Sequence, residues 1–191
     1  MSRIIDLQGI SLYNHPMKKT LSLTLILSLI FILTACGQPA QPLTFFLISS
    51  EAGANQDRQS VGCDEFLAPV QVAATSSDLD TDVRVSEALR SLLSADPSAY
   101  GASLSTATAF TDGYITLGPV IDQTVGTVQT LIIDLATAEE GGLSGACDAP
   151  RVKNQIKETI RANAQNSPFL IRLNGETRQW ECFGDESGEC L

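Results

Sequence analysis

The chain has 191 residues and carries 12 Lys and Arg against 22 Asp and Glu, a formal net charge of −10. An acidic surface of this size repels nucleic acid and anionic lipid headgroups, so neither is expected as a partner held by charge. The single histidine, His15, lies upstream of a signal-like segment. The region after it therefore offers no imidazole for a Ser-His-Asp triad, a Cys-His pair or a zinc site.

Residues 1–16 contain Arg3, Asp6, His15 and Pro16 and show no helical or strand period. They are read as a misassigned N-terminal extension, with Met17 as the initiator. A genuine extended leader is the alternative. Residues 17–35 form a signal peptide, in which Lys18 and Lys19 precede an uncharged apolar run from Leu21 to Ala35. As a helix that run spans about 22 Å, short of the roughly 30 Å of a bilayer core, which favours a cleaved segment over a permanent span. The run ends in Leu33-Thr34-Ala35-Cys36, which resembles the lipobox of bacterial lipoproteins. The resemblance implies cleavage between Ala35 and Cys36 and a diacylglyceryl thioether on Cys36. A further fatty acid such as palmitate on the new amino terminus usually follows. Two or more acyl chains hold a protein stably at a membrane. The expected location is thus the extracytoplasmic face of a bacterial membrane. An ordinary secretory signal with an incidental cysteine is the competing reading.

Cleavage leaves 156 residues, enough for one domain with a real core. It also removes Arg3, Lys18, Lys19 and Asp6, leaving 9 basic and 21 acidic residues. Beyond Cys36 stand Cys63, Cys147, Cys182 and Cys190, an even number that points to two disulfides in an exported chain. Of the three pairings, Cys63–Cys147 with Cys182–Cys190 is favoured, although spacing alone does not decide it.

Residues 36–42 are a small, proline-bearing tether, and residues 43–191 are read as one domain. Leu43–Ile48 has strand length and strand composition. Ser49–Glu65 is a polar loop. Phe66–Ala73 is a second strand, confined to an edge by Pro69. Val85, Ala88, Leu89, Leu92 and Leu93 repeat at helical spacing within Val83–Leu93, behind an N-terminal signal at Thr81 and Asp82 and ahead of Asp96-Pro97. Thr108–Leu117, with Asp112-Gly113 inside it, and Thr127–Leu135 read as strands. Ala138–Ala146 is a glycine-rich loop. Asp148 and Pro150 open a second helix with Val152, Ile156, Ile160 and Ala164 at steps of four. Phe169–Leu173, Asn174-Gly175 and Glu176–Phe183 read as a hairpin, because Asn-Gly suits the positive φ of a type I′ turn. The order predicts one α+β domain with a mixed sheet and two helices.

This order of elements resembles the GerMN-type domain, also called the sporulation and spore germination domain. The matching features are Leu43–Ile48, Leu67–Val70, the helix ending Ala88–Leu93, Leu131–Leu135, Gly141-Gly142, Lys157–Ile160 and Phe169–Gly175. Such domains are common on lipoproteins and exported envelope proteins of bacteria, and no shared catalytic centre carries over. The chain departs from the pattern at Ser94-Ala95-Asp96-Pro97, where a Gly-Pro is usual, and in its extra cysteines and acidic tail.

Gly142-Leu143-Ser144-Gly145-Ala146 falls short of a nucleophile elbow, since Ala146 replaces the last glycine and no base is at hand. Asp78, Asp80 and Asp82 alternate as in a calcium loop, but Val83 and Leu89 stand where a glycine and a bidentate acid belong. These acids are read instead as complementing the helix that follows. Glu139-Glu140 are adjacent in a loop with nothing to raise a carboxyl pKa, which leaves a carboxylate-dependent hydrolase as a minor reading. No cofactor or metal is expected. Trp180 and Phe183 either pack in the core or anchor an interface. The resulting expectation is a lipid-anchored, non-catalytic envelope protein that binds a protein partner or a second copy, and the resemblance implies a tie to sporulation or germination. Capture of a small solute is the alternative.

Overall fold

The computed structural model describes residues 40–51, 59–139, 142–143 and 145–185. β1 (Leu43–Ser49) is organised by its alternation, with Leu43, Phe45 and Leu47 fully buried on one face. Along its whole length it pairs antiparallel with β3 (Glu65–Val72), from Leu43 opposite Val72 to Ser49 opposite Phe66. β2 (Ser60–Gly62) flanks the start of β3, and β4 (Leu104–Ser105) flanks the end of β1, giving the order β2-β3-β1-β4. Pro69 thus sits inside a four-stranded sheet, but at its own position the strand is an edge. β2 reaches only Phe66 in the register, with one further bond from Leu67 N–H to the Gln59 carbonyl.

A second sheet has the order β5-β6-β7. β5 (Ile115–Val125) and β6 (Val128–Thr137) form an antiparallel hairpin, and β7 (Phe169–Leu173) lies parallel to β6. Parallel neighbours need a crossover. Here it is a helix, Asp148–Asn163 (α3 in chain order). The other α-helices among the described residues are α1 (Thr81–Leu93), the single turn α2 (Thr108–Thr111) and α4 (Thr177–Glu181). The single α+β domain predicted from the sequence is observed, but with two sheets instead of one and with two extra short helices.

α3 explains why the sheets stay apart. Its apolar stripe, Val152, Ile156 and Ile160, is fully buried. Beside that stripe run Gln155, Thr159 and Asn163, also fully buried and spaced by four, so they form one row along the helix. This row bonds the edge of β1 that the short β4 leaves uncovered. Asn163 Oδ1 accepts from Thr44 N–H at 3.2 Å and its amide donates to the Thr44 carbonyl at 2.6 Å. Thr159 Oγ1 accepts from Phe46 N–H at 3.3 Å, and Gln155 Nε2 donates to the Phe46 carbonyl at 2.8 Å. Three side chains therefore stand where another strand would pair. Since Thr44 and Phe46 turn their backbone groups toward α3, Phe46 makes no ladder bond with Pro69 opposite it. The missing N–H of Pro69 then points to the open side of β3, which is why proline is tolerated there.

The same helix reshapes two segments expected to be strands. Gln155 Oε1 accepts from Ala107 N–H at 3.0 Å and Asp148 Oδ1 accepts from Thr108 N–H at 3.0 Å. These bonds draw residues 107–111 onto α3 as a helical turn that ends at Gly113, whose φ is +69°. The expected strand at Thr108–Leu117 begins only at Ile115. Beyond β7 the Asn174-Gly175 turn forms as predicted, with φ values of +50° and +84° and bonds both ways between Leu173 and Glu176. The following residues are helical, contrary to the predicted hairpin. Strand alternation would send Trp180 and Phe183 to opposite faces, whereas helical spacing puts both against the core, where they stack at 6.1 Å.

The main core is enclosed by β1, α1, α3 and the inner faces of β5, β6 and β7, with Phe45, Leu89, Leu92, Ile133 and Ile156 at its centre. The buried stripe of α1, Val85, Ala88, Leu89 and Leu92, is the predicted one. Burying each of its larger side chains contributes about 1.5–3 kcal/mol. A smaller cluster of Ile48, Val61 and Leu67 lies on the other side of the first sheet.

Candidate functional site

The most unusual surface is the outer half of the β5–β6 hairpin. Residues 121–129 are exposed without interruption, although they belong to two well-formed strands. Val125 and Val128 are each 51% exposed and Ile121 is 40% exposed. The hairpin closes with Gly126-Thr127, where Gly126 has φ +65° as the first central residue of a type II′ turn requires. At its base a bulge sets Gly118 and Pro119 against Asp134 alone. A Cβ on Gly118 would stand 3.1 Å from the Asp134 carbonyl oxygen, so glycine permits the strands to cross closely there.

The register assigns the faces of this arm. Leu117, Val120, Leu131 and Ile133 face the core, whereas Ile121, Gln123 and Val125 share the outer face with Val128, Thr130 and Ile132. Ile132 is flanked in register by Ile121 and Leu170, which makes an apolar row across the second sheet. One residue pair further along, Arg172 grips Asp134 in a two-pronged pair at 2.6 and 2.7 Å. The hydrogen bond to that carboxylate, opposed by desolvation and aided by its charge, raises the guanidinium pKa. Asp122 is the only charged residue between Gly113 and Ile133, in a chain of net charge −10. The predicted strands stopped at Leu117 and resumed at Thr127, so the arm itself was missed. The signal present was Val-Gly-Thr-Val, an alternating β-branched run around a glycine turn.

A second feature is a cavity of about 360 Å³ between α3 and the turn after α4. It is lined by Ala149, Pro150, Lys153, Lys157, Phe183 and Asp185, among others. Gly184 closes one wall, since a Cβ there would lie 2.0 Å from that of Ala149. Lys153 Nζ donates to the Glu181 carbonyl at 2.7 Å. Burial lowers the pKa of this ammonium, and neighbouring Lys157 lowers it further, against the pull of Asp185 and Glu181. These are the only lysines after Lys19.

A third feature fixes where the chain enters the domain. Arg84 of α1 is buried, and its guanidinium donates to the carbonyls of Gln41, at 3.3 Å, and Pro42, at 2.5 Å.

Of the residues singled out from sequence, Cys63 and Cys147 form a disulfide with a Cα separation of 6.2 Å, as the favoured pairing has it. Cys182 is disulfide-bonded too, while Cys190 lies outside the described residues. The Cys63–Cys147 bond ties the β2–β3 turn, where Cys63 and Asp64 have φ of +55° and +58°, to the N-cap of α3. One helical turn on, Arg151 holds Glu65 at 2.6 and 2.7 Å, and this bond raises the Arg151 pKa. Trp180 and Phe183 are buried, so both belong to the core and present little surface to a partner. Ala35, Cys36, Gly141 and Ser144 lie outside the described residues. Among the described residues, no group of three or more His, Cys, Asp or Glu is placed to hold a metal ion, and no helix is long and apolar enough to cross a membrane. No family model, curated protein or solved structure matches the chain.

Proposed function

We propose that the chain is a lipid-anchored protein of the bacterial cell envelope that works by protein interaction, presenting a non-catalytic domain of GerMN type from the extracytoplasmic face of a membrane. The carrying observation is the projecting β5–β6 arm, which exposes a strand edge and apolar side chains together. Soluble proteins normally shorten, charge or cover such edges, so an uncovered one marks a pairing site. The Leu33–Cys36 motif supplies the anchor, and the Arg84 grip on Gln41 and Pro42 suits a domain held by its N-terminal tether. A role in sporulation or germination rests on the resemblance alone.

The test is twofold. Labelled palmitate should enter the parent protein and not Cys36→Ala; label in the variant would end the lipoprotein reading. A photo-crosslinking residue at Val125 should capture a specific envelope protein or a second copy in intact cells, while the same residue at exposed Arg161 should not. Equal capture at both positions would defeat the arm as an interaction site. A second reading, binding of a small anionic solute, draws on the cavity where Lys153 and Lys157 meet Phe183. Saturable binding of a carboxylate that is lost in Lys157→Gln would favour it.

A further inference from the structure

We infer that the tip of the β5–β6 arm, residues 125–128, rests its side chains on the membrane that a lipid on Cys36 would hold, so that the domain meets the bilayer through the arm as well as through the tether. This goes beyond the protein-interaction reading and rests on its lipid anchor.

Topology puts the arm and the tether at one end of the domain. β1 runs antiparallel to α3, since Thr44 N–H donates to Asn163 in the last turn of the helix while Phe46 bonds Thr159 and Gln155 earlier in it. The chain therefore enters β1 where α3 ends. Ser167 N–H donates back to the Ala164 carbonyl, and β7 starts from that turn at Phe169. β6 is parallel to β7 and meets Phe169 at Leu131, so residues 128–130 and the end of β5 continue past the start of β7. At the usual rise of a strand, Thr127 projects about 14 Å beyond Leu131. The first turn of α1 is at the same end, because Arg84 donates to the Gln41 and Pro42 carbonyls.

Apolar exposure follows the same polarity. Among the described residues, the exposed large apolar side chains are Val83, Tyr100, Ile121, Val125 and Val128. Val83 lies in the first turn of α1 and the last three lie on the arm, whereas Tyr100 stands apart with its ring edge-on to Phe45. Residues 123–133 carry no charge. The tether from Cys36 to Gln41 reaches at most about 18 Å, so a lipid on Cys36 sets this end of the domain against the bilayer. The bilayer is the one surface whose direction that anchor fixes, which selects it over a protein as the occupant of the tip. Contact of this kind grows with the apolar area buried at the headgroup boundary. Asp78, Asp80 and Asp82 precede or open α1 at the same end, so the headgroups that fit are zwitterionic and not anionic. The tip makes this contact with side chains. The β5 backbone over residues 120–124 stays open to a protein partner, and Val125 stands at the boundary between the two.

The full-length lipidated chain, reconstituted in phosphatidylcholine vesicles with photoactivatable acyl chains, tests this without any substitution. Sequencing of the labelled peptides should place at least fivefold more lipid adduct on residues 121–128 than on residues 111–113. The latter form an exposed turn at the opposite end, beside the start of α3. Val125→Gln combined with Val128→Gln should cut the arm adduct at least threefold at an unchanged melting temperature, since both side chains are exposed. Replacing about half of the lipid with phosphatidylglycerol should lower the arm adduct, and an equal or greater yield would overturn the choice of headgroup. Equal labelling of the two ends, or label confined to residues 111–113, would overturn the inference. If that chain still carries its acyl groups and floats with the vesicles, the anchor reading stands. A chain that carries no acyl group and stays off the vesicles would overturn both.

Discussion

Gln155→Leu is the sharpest probe of the row on α3. The substitution preserves roughly the side-chain volume and leaves the apolar stripe of Val152, Ile156 and Ile160 in place. It removes the donor to the Phe46 carbonyl and the acceptor from Ala107 N–H, both at fully buried Gln155. Phe46 has no ladder partner to fall back on, because its backbone groups face α3 and it forms a non-bonded pair with Pro69. Each group left unsatisfied costs about 1–3 kcal/mol, so the two together cost about 2–6 kcal/mol. Leucine returns about 1–2 kcal/mol through its extra apolar burial. At mid-range values the expected net loss is about 2.5 kcal/mol. With a urea m-value of about 2 kcal/mol/M, the unfolding midpoint should fall by about 1.2 M at unchanged slope. Gln155→Glu keeps the acceptor for Ala107 but buries a charge, so its deficit should shrink as pH falls and the carboxyl gains a proton. A midpoint shift of Gln155→Leu below about 0.3 M would refute the claim that these side chains replace a strand.

Three further outcomes follow from the same geometry. Replacing Cys63 and Cys147 by serine opens a loop of sequence separation 84, and should cost about 2–5 kcal/mol in thermal unfolding; a loss below about 1 kcal/mol would show that Arg151–Glu65 alone pins the β2–β3 turn. Arg84→Met removes two charge-assisted bonds from the tether, so it should cost about 1.5–3 kcal/mol and open the backbone near Pro42 to limited proteolysis; unchanged cleavage would show that the guanidinium does not hold the tether. NMR of isotopically methylated lysines should find Lys153 titrating below the ordinary value of 10.5. Because its folded pKa is depressed, its charged form opposes folding, and that opposition should fade as pH rises through the depressed value toward 10.5. The same alkaline gain in stability persisting in Lys153→Gln would assign it elsewhere.

The legible parts of the fold were those set by local periodicity. The stripes of α1 and α3, the strands β1, β3, β6 and β7 and the Asn174-Gly175 turn each carry their signal within ten or so residues. The parts that failed depend on partners distant in sequence. Residues 108–111 are helical because Gln155 and Asp148 take the amides of Ala107 and Thr108, 48 and 40 positions away. Trp180 lies in a helix because the core accepts it and Phe183 on one side, a choice that alternation could not reveal. The arm was passed over for a different reason. Its outer residues follow strand composition without the buried half that normally marks a strand, and β5 continues past Leu117 through a bulge at Gly118-Pro119 that no local period reveals.

The two sheets handle the same physical problem in opposite ways, and the contrast bears on function. Where β1 would have offered free backbone groups, the chain commits three buried polar side chains of one helix to bonding them. Such groups are costly to desolvate and give a modest net gain, so their role is to close an edge more than to add stability. On β5 the chain leaves the edge open over its outer half and withholds charge from it. If Cys36 carries the lipid, Gln41 lies five residue steps beyond it, a reach of at most about 18 Å. Arg84 then holds the domain end of that short tether. Confinement to a surface raises the local concentration of like molecules, so a strand pair too weak to persist in dilute solution can form there. An interaction designed on these terms would switch with anchoring. Releasing the domain from the membrane should therefore weaken photo-crosslink capture at Val125 even when the fold is intact. Capture that survives release undiminished would mean that the arm binds strongly by itself and that the anchor serves only for location.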